Sequence, residues 1–149
     1  MTEDLTTWIV VADGGQVRVL EERRRHGALH ELADWAAVLP DSERKRSRTH
    51  GGTVHERHGP GRSSVYEASP AQSAESRFIA EFAERLDRAS TSGAFERLVL
   101  IASPRCLGVL RAGLGAAAQR KIEASDPHDR VDETVEALRE RLRDIRIPA

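Results

Sequence analysis

Two short runs of β-branched and apolar side chains open the chain, Thr7 to Ala12 (TWIVVA) and Gln16 to Leu20 (QVRVL), with Asp13-Gly14-Gly15 between them. Runs of this length and composition read as strands, and the joint reads as a tight hairpin whose glycines can supply positive φ. A second turn at His26-Gly27 leads into Leu29, Leu32, Trp35 and Val38. This third apolar segment is read as a strand, although its spacing of three also suits a helix. From residue 41 to residue 69 apolar side chains nearly vanish, leaving Val54, Val65 and Tyr66 among Arg, His, Gly, Ser and Pro. So little apolar surface cannot be buried against anything, and a mobile loop is expected.

Helical periodicity then takes over. Ser69-Pro70-Ala71-Gln72 has the N-cap Ser, first-turn Pro and N3 Gln of a capping box, and Phe78, Ile79, Phe82, Ala83 and Leu86 share one helical face. The pattern predicts an amphipathic helix over about residues 70–91, ended by Ser92-Gly93. Leu98 to Ala102 (LVLIA) is apolar throughout, as in a central strand covered on both faces and parallel to a neighbour. Ser103-Pro104 opens a second helix carrying Leu107, Leu110 and Leu114 and weakened by Gly108, Gly113 and Gly115. Ile122 marks a brief edge strand, and Val131, Val135, Leu138, Leu142 and Ile145 form the stripe of a third helix. No internal repeat interrupts this order. The expectation is one α/β domain over residues 1–149, with a five-stranded mixed sheet in the order 3-2-1-4-5 and three helices, the ribonuclease-H-like arrangement.

Composition narrows the class. A chain of 149 residues with 39% hydrophobic and 32% charged side chains is that of a compact domain under a heavily charged surface. No stretch approaches the ~18 apolar residues of a membrane span, so no membrane insertion is expected. The start Met1-Thr2-Glu3-Asp4 is acidic where a secretory signal would be basic. Cys106 is the single cysteine, which excludes an internal disulfide or a multi-cysteine metal site and fits a reducing cytoplasm. The formal charge of −1 hides an uneven distribution: between residues 43 and 66, Arg44, Lys45, Arg46, Arg48, Arg57 and Arg62 face only Glu43 and Glu56, a net +4, leaving −5 elsewhere. A cationic segment on an acidic body is the electrostatic footprint of a phosphate-backbone contact. These six side chains are the candidate nucleic-acid-binding residues; the alternative is a solvated insert.

The stretches WIVVADGGQVRVL, Ser69 to Leu86 and RLVLIASPRCLGVLRAGL resemble successive landmarks of the bacterial host-attachment protein family, from Trp8 to about Leu142. That family is related to the middle domain of archaeal and eukaryotic peptide-chain release factors. The resemblance implies a ribosome- or tRNA-associated role, while the family's name comes from an attachment phenotype.

Gly14-Gly15-Gln16 spells the tripeptide with which release factors hydrolyse peptidyl-tRNA, but catalysis needs it on an exposed mobile loop and here it sits between two strands as turn chemistry. In a release-factor middle domain the catalytic loop lies between the third strand and the long helix, which corresponds to residues 41–69. Two incomplete echoes occur there: His50-Gly51-Gly52-Thr53 lacks the Gln, and Pro70-Ala71-Gln72 lacks the glycines. Gln72 is read as a capping residue. No metal site is assigned, because His50, His55 and His58 have neither cysteines nor a scaffold around them. A two-metal nuclease could draw on Asp13 and Glu75, yet the fourth strand ends Ile101-Ala102-Ser103-Pro104 without the third acid. Cys106, beside Arg105 at a helix start, is read as a packing residue rather than an activated thiol. Arg23-Arg24-Arg25 is read as a solvated turn. The leading expectation is thus a translation-associated binding domain without an intact catalytic motif and without a cofactor. A protein-interaction module for surface attachment or stress physiology is the alternative, and peptidyl-tRNA hydrolase a third reading.

Overall fold

A computed structural model describes residues 5–43 and 70–146, with side chains from residue 73 onward in the second part. The six candidate cations Arg44, Lys45, Arg46, Arg48, Arg57 and Arg62, the histidines between them and Ser69 lie outside the described residues.

The two opening runs form β1 (Thr7–Asp13) and β2 (Gln16–Glu22), antiparallel from Thr7 opposite Glu22 to Asp13 opposite Gln16. The third apolar segment is not one strand. It divides into β3 (Leu29–Glu31), a 3-10 turn (Ala33–Trp35) and β4 (Ala37–Val38), with both short strands pairing β2. The reason lies in the spacing of three. Residues three apart on a continuous strand face opposite sides of a sheet, yet Leu32 and Trp35 both pack against the same core cluster. The turn brings Trp35 edge-on to Trp8, centroids 4.8 Å apart, and under the Arg85 guanidinium at 3.9 Å.

Helix α1 (Pro70–Thr91) spans the expected residues. It crosses to β5 (Arg97–Ala102), which runs parallel to β1 and has every residue from Leu98 to Ala102 buried. The second expected helix is two: α2 (Pro104–Ala112) stops before Leu114, and α3 (Ala116–Arg120) follows. A Cβ on Gly113, between them, would lie 2.6 Å from the Cβ of Ala83, so glycine there lets the chain press against α1. Strand β6 (Ile122–Asp126) runs parallel to β5 at the sheet edge, and α4 (Val135–Ile145) closes the described fold. Thr134 caps α4, its Oγ1 accepting from the Ala137 N–H at 3.1 Å, so Val131 packs from the preceding loop instead of the helix.

Among the described residues the sheet therefore has six strands, not five, along the path β3-β2-β1-β5-β6 with β4 beside β2. Among the described residues four α-helices and one 3-10 turn stand where three helices were expected, and residues 41–43, expected to open the loop, are also helical. Alternation along the central strands separates two cores. Trp8, Val10, Leu98 and Leu100 face α1, α2 and α3, whereas Ile9, Val11, Val99 and Ile101 face Leu138 and Leu142 of α4.

Candidate functional site

Parallel strands of an open α/β sheet present their carboxyl ends as the usual place for chemistry. Here that edge gathers Asp13 at the end of β1, Ser103 after β5, and Asp126 at the end of β6. The β1–β2 turn belongs to it. The Gly15 N–H donates to Asp13 Oδ1 at 2.8 Å, an Asx turn, and the Gly15 carbonyl accepts from the Leu39 N–H at 2.8 Å. Gln16 is a strand residue, opposite Asp13 on one side and Val38 on the other. The tripeptide is thus embedded in backbone pairing on both sides.

The positive φ expected at these glycines is absent; among the described residues it occurs at His26 (67°) and Gly93 (83°). What Gly14 provides is room. A Cβ there would lie 2.6 Å from Glu75 Cδ and closer still to its Oε1. Because the obstacle is the end of a side chain, Gly14→Ala should cost about 1 kcal/mol in denaturant unfolding, and that cost should vanish when Glu75 is also changed to Ala. Equal costs in both backgrounds would show that the turn backbone, not Glu75, requires glycine.

Asp13 and Glu75, the carboxylates a nuclease could use, both act electrostatically on Cys106. No third ligand joins them: among the described residues no group of three His, Cys, Asp or Glu side chains could hold a metal ion. Cys106 is 5% exposed. Burial pushes its thiol up, with a hydrogen bond to Ser103 acting the other way, which makes it a packing residue and a poor nucleophile. The crevice lined by Glu75, Ser76, Ile79, Arg105, Cys106 and Val109 has only 10 Å³, far below a small-molecule site.

Farther along the edge Asp126 organises a tight loop. Its Oδ1 meets His128 Nδ1 at 2.5 Å and its Oδ2 accepts from Arg130 Nε at 2.6 Å. Burial would raise this carboxyl, but the hydrogen bonds from Arg130 and His128 prevail and hold it below its ordinary value. Glu123 is likewise lowered, burial being outweighed by Arg25 and Arg146. Carboxylates held low in the fold contribute stability that is complete above their unfolded values, about 3.9 for Asp and 4.3 for Glu, and is lost as pH falls through the folded ones. The melting temperature should therefore fall steeply below about pH 4, and less steeply in Asp126→Asn. Identical acid profiles for the two proteins would remove Asp126 from the explanation.

The basic segment departs from and returns to this same edge. The chain leaves the described fold at Glu43, shortly after Leu39 bonds the hairpin turn, and re-enters at Pro70, little more than a helical turn before Glu75. The three consecutive arginines are not uniformly solvated: Arg23 pairs with Glu21 at 2.9 Å, but Arg25 reaches Glu123 at 3.0 Å. That second bond belongs to a buried network that the sequence reading missed, in which Arg146 joins Glu22 and Glu123, each at 2.7 Å. One signal was present. Two-residue alternation from Leu20 puts Glu22 on a core-facing strand position, where an acid needs a partner.

The fold is similar to the crystal structure of an archaeal translation termination factor, aRF1, with a TM-score of 0.48 and 10% identity, covering 91% of this chain and 37% of that one. The chain thus spans well under half the length of that factor. No curated protein matches it. The family described as "Protein required for attachment to host cells" matches residues 8–142, nearly the whole chain, and to that host-attachment family the protein belongs.

Proposed function

We propose that this protein is a translation-associated, release-factor-like binding domain that contacts ribosomal RNA or tRNA through its basic segment, with no intact catalytic motif. The observation that carries the reading is the charge segregation, +4 between residues 43 and 66 against −5 in the remainder. Arg44, Lys45, Arg46, Arg48, Arg57 and Arg62 meet phosphates in this reading, and the glycines at 51, 52, 59 and 61 let the segment follow its partner's shape. The ends of the segment at the carboxyl edge support the placement, since α/β sheets present ligands there. The strand path further supports a ribonuclease-H-like arrangement, the β1–β2–β3 ribbon extended by parallel β5 and β6. Gly14-Gly15-Gln16 is assigned no hydrolytic role. Such a protein acts in the cytoplasm. Co-sedimentation with ribosomes tests the reading: binding at low salt that is lost at high salt is expected, and no binding at low salt overturns it.

One observation favours the protein-interaction module instead. Among the described residues nothing pairs with the outer edge of β6, and an open groove of 350 Å³ lies along it, lined by Arg111, Gln119, Ile122, Glu123, Ala124 and Ser125. Unpaired strand edges accept partner strands.

A further inference from the structure

On the face opposite α1, the β2–β3 turn leans against α4 and leaves a notch of 20 Å³ lined by Glu22, His26, Arg139, Leu142, Arg143 and Arg146. We infer that this notch is a phosphate-group binding site formed by Arg139, Arg143 and His26, separate from the basic segment.

The acids of α4 lie off the notch. Arg139 and Arg143 of the helix and Arg146 at its C-cap line it, while Glu136, Glu140 and Asp144 do not, nor does Arg141, which pairs with Glu133. The one acid in the lining, Glu22, is already neutralised. Both its oxygens accept from Arg146, Oε1 at 2.7 Å and Oε2 at 3.0 Å, and Oε2 also accepts from the His26 N–H at 3.0 Å. Three arginines against one glutamate leave the lining at +2, on a body that is acidic as a whole.

The cations differ in what they have left to offer. Arg146 is committed to Glu22 and Glu123. Arg139 uses Nη2 to donate to the His26 carbonyl at 3.0 Å, leaving its other donors. Arg143 is exposed and engages no described residue in a hydrogen bond or ion pair. A solvated arginine alone would mean little. The neighbouring turn is fixed as well: His26 adopts φ 67°, and its N–H and carbonyl are each tied, to Glu22 and to Arg139. A left-handed residue pinned at both backbone groups keeps His26, an exposed residue of the lining, on the turn beside Arg139 and Arg143.

Size selects the ligand chemistry. A volume of 20 Å³ admits one water-sized atom and no ring, so a base or sugar cannot enter. One oxygen of a phosphate can, its remaining oxygens staying at the mouth within reach of the planar guanidinium forks. The phosphate comes either from a free small anion or from a polynucleotide backbone, and the two are told apart by the probe.

The test is an NMR titration of the full chain with inorganic phosphate, at matched ionic strength in chloride, reading the His26 amide and the arginine Nε–H signals. Saturable shifts at His26, Arg139 and Arg143 are expected, with affinity weakened at least tenfold in Arg139→Met/Arg143→Met and unchanged in Arg88→Met, an exposed residue of α1. Arg143→Met alone, which removes no internal contact, guards against a folding defect and should weaken binding several-fold. In a second arm, a single-stranded oligouridylate should bind with a log-affinity against log-salt slope that the double variant reduces by about 1.4, two contacts at about 0.7 each, including when the basic segment is already neutralised. An unchanged RNA slope with phosphate binding intact assigns the site to a free anion. A basic-segment variant without effect on RNA, beside an effective α4 variant, would remove the proposed function and leave this site standing. Equal phosphate titrations in wild type and double variant, or shifts shared evenly with Arg88, would overturn it.

Discussion

Replacing Arg146 by Met should destabilise the protein by about 3–5 kcal/mol, the largest effect expected of any single substitution outside the hydrophobic core. The Arg146 side chain is 5% exposed and Glu22 1%, and the guanidinium donates to both oxygens of Glu22 and to Glu123. Met fills the space of the aliphatic stem but leaves Glu22 buried with a single backbone N–H for a partner. An ion pair of this kind need not add much over a well-packed apolar pair; the penalty arises from stranding one charge. One consequence separates this account from simple loss of packing. The deficit should shrink in Glu22→Gln/Arg146→Met, because no charge is left uncompensated. Denaturant unfolding of the wild type, the two single variants and the double variant measures it, and a deficit independent of Glu22 would assign the effect to packing alone.

Replacing Arg44, Lys45, Arg46 and Arg48 together by Ser should lower affinity for RNA or ribosomes by roughly 100-fold near physiological salt while leaving the melting temperature almost unchanged. The two halves of that expectation rest on different links. The segment has too few apolar residues to contribute to a core, so its charges add little to folding. If they meet phosphates, each contact releases condensed counterions and adds roughly 0.7 to the salt slope, so four lost contacts flatten it by about 2.8. Sequence preference should be weak in both proteins, because phosphate contacts position a protein without reading bases. Equal salt-dependent binding by wild type and variant would exclude these four side chains, and binding by neither at low salt would move attention to the β6 edge.

The surroundings of the β1–β2 turn were legible in outline and misread in detail, while the six candidate cations lie outside the described residues. The Asp13-Gly14-Gly15 hairpin was recognisable because turn composition is local, but the positive φ expected at its glycines is absent, and the space a side chain at Gly14 would need is taken by Glu75, a residue far along the chain. Cys106 was correctly placed as a packing residue at the start of α2, because an isolated cysteine within an apolar stripe has little else to do. The arginines at 23 to 25 looked alike in sequence, yet Arg25 enters a buried network and Arg23 does not. Nothing in their neighbours distinguishes them, since the partner Glu123 arrives from β6.

What the amino-acid sequence determined by itself is whatever depends on near neighbours: the period-two alternation that makes β1 and β5 two-sided, the stripe of α1, the hairpin, and the separation of a basic segment from an acidic body. What only the tertiary structure decided are the features whose free energy lies between distant residues. The break at Ala33–Trp35 exists because Leu32 and Trp35 must reach one core, α2 ends where Gly113 meets Ala83, and Glu22 is tolerable only because Arg146 lies across it. Local propensity is a matter of fractions of a kcal/mol per residue, whereas burying an aromatic ring or stranding a charge is worth several, so where the two conflict the packing sets the outcome.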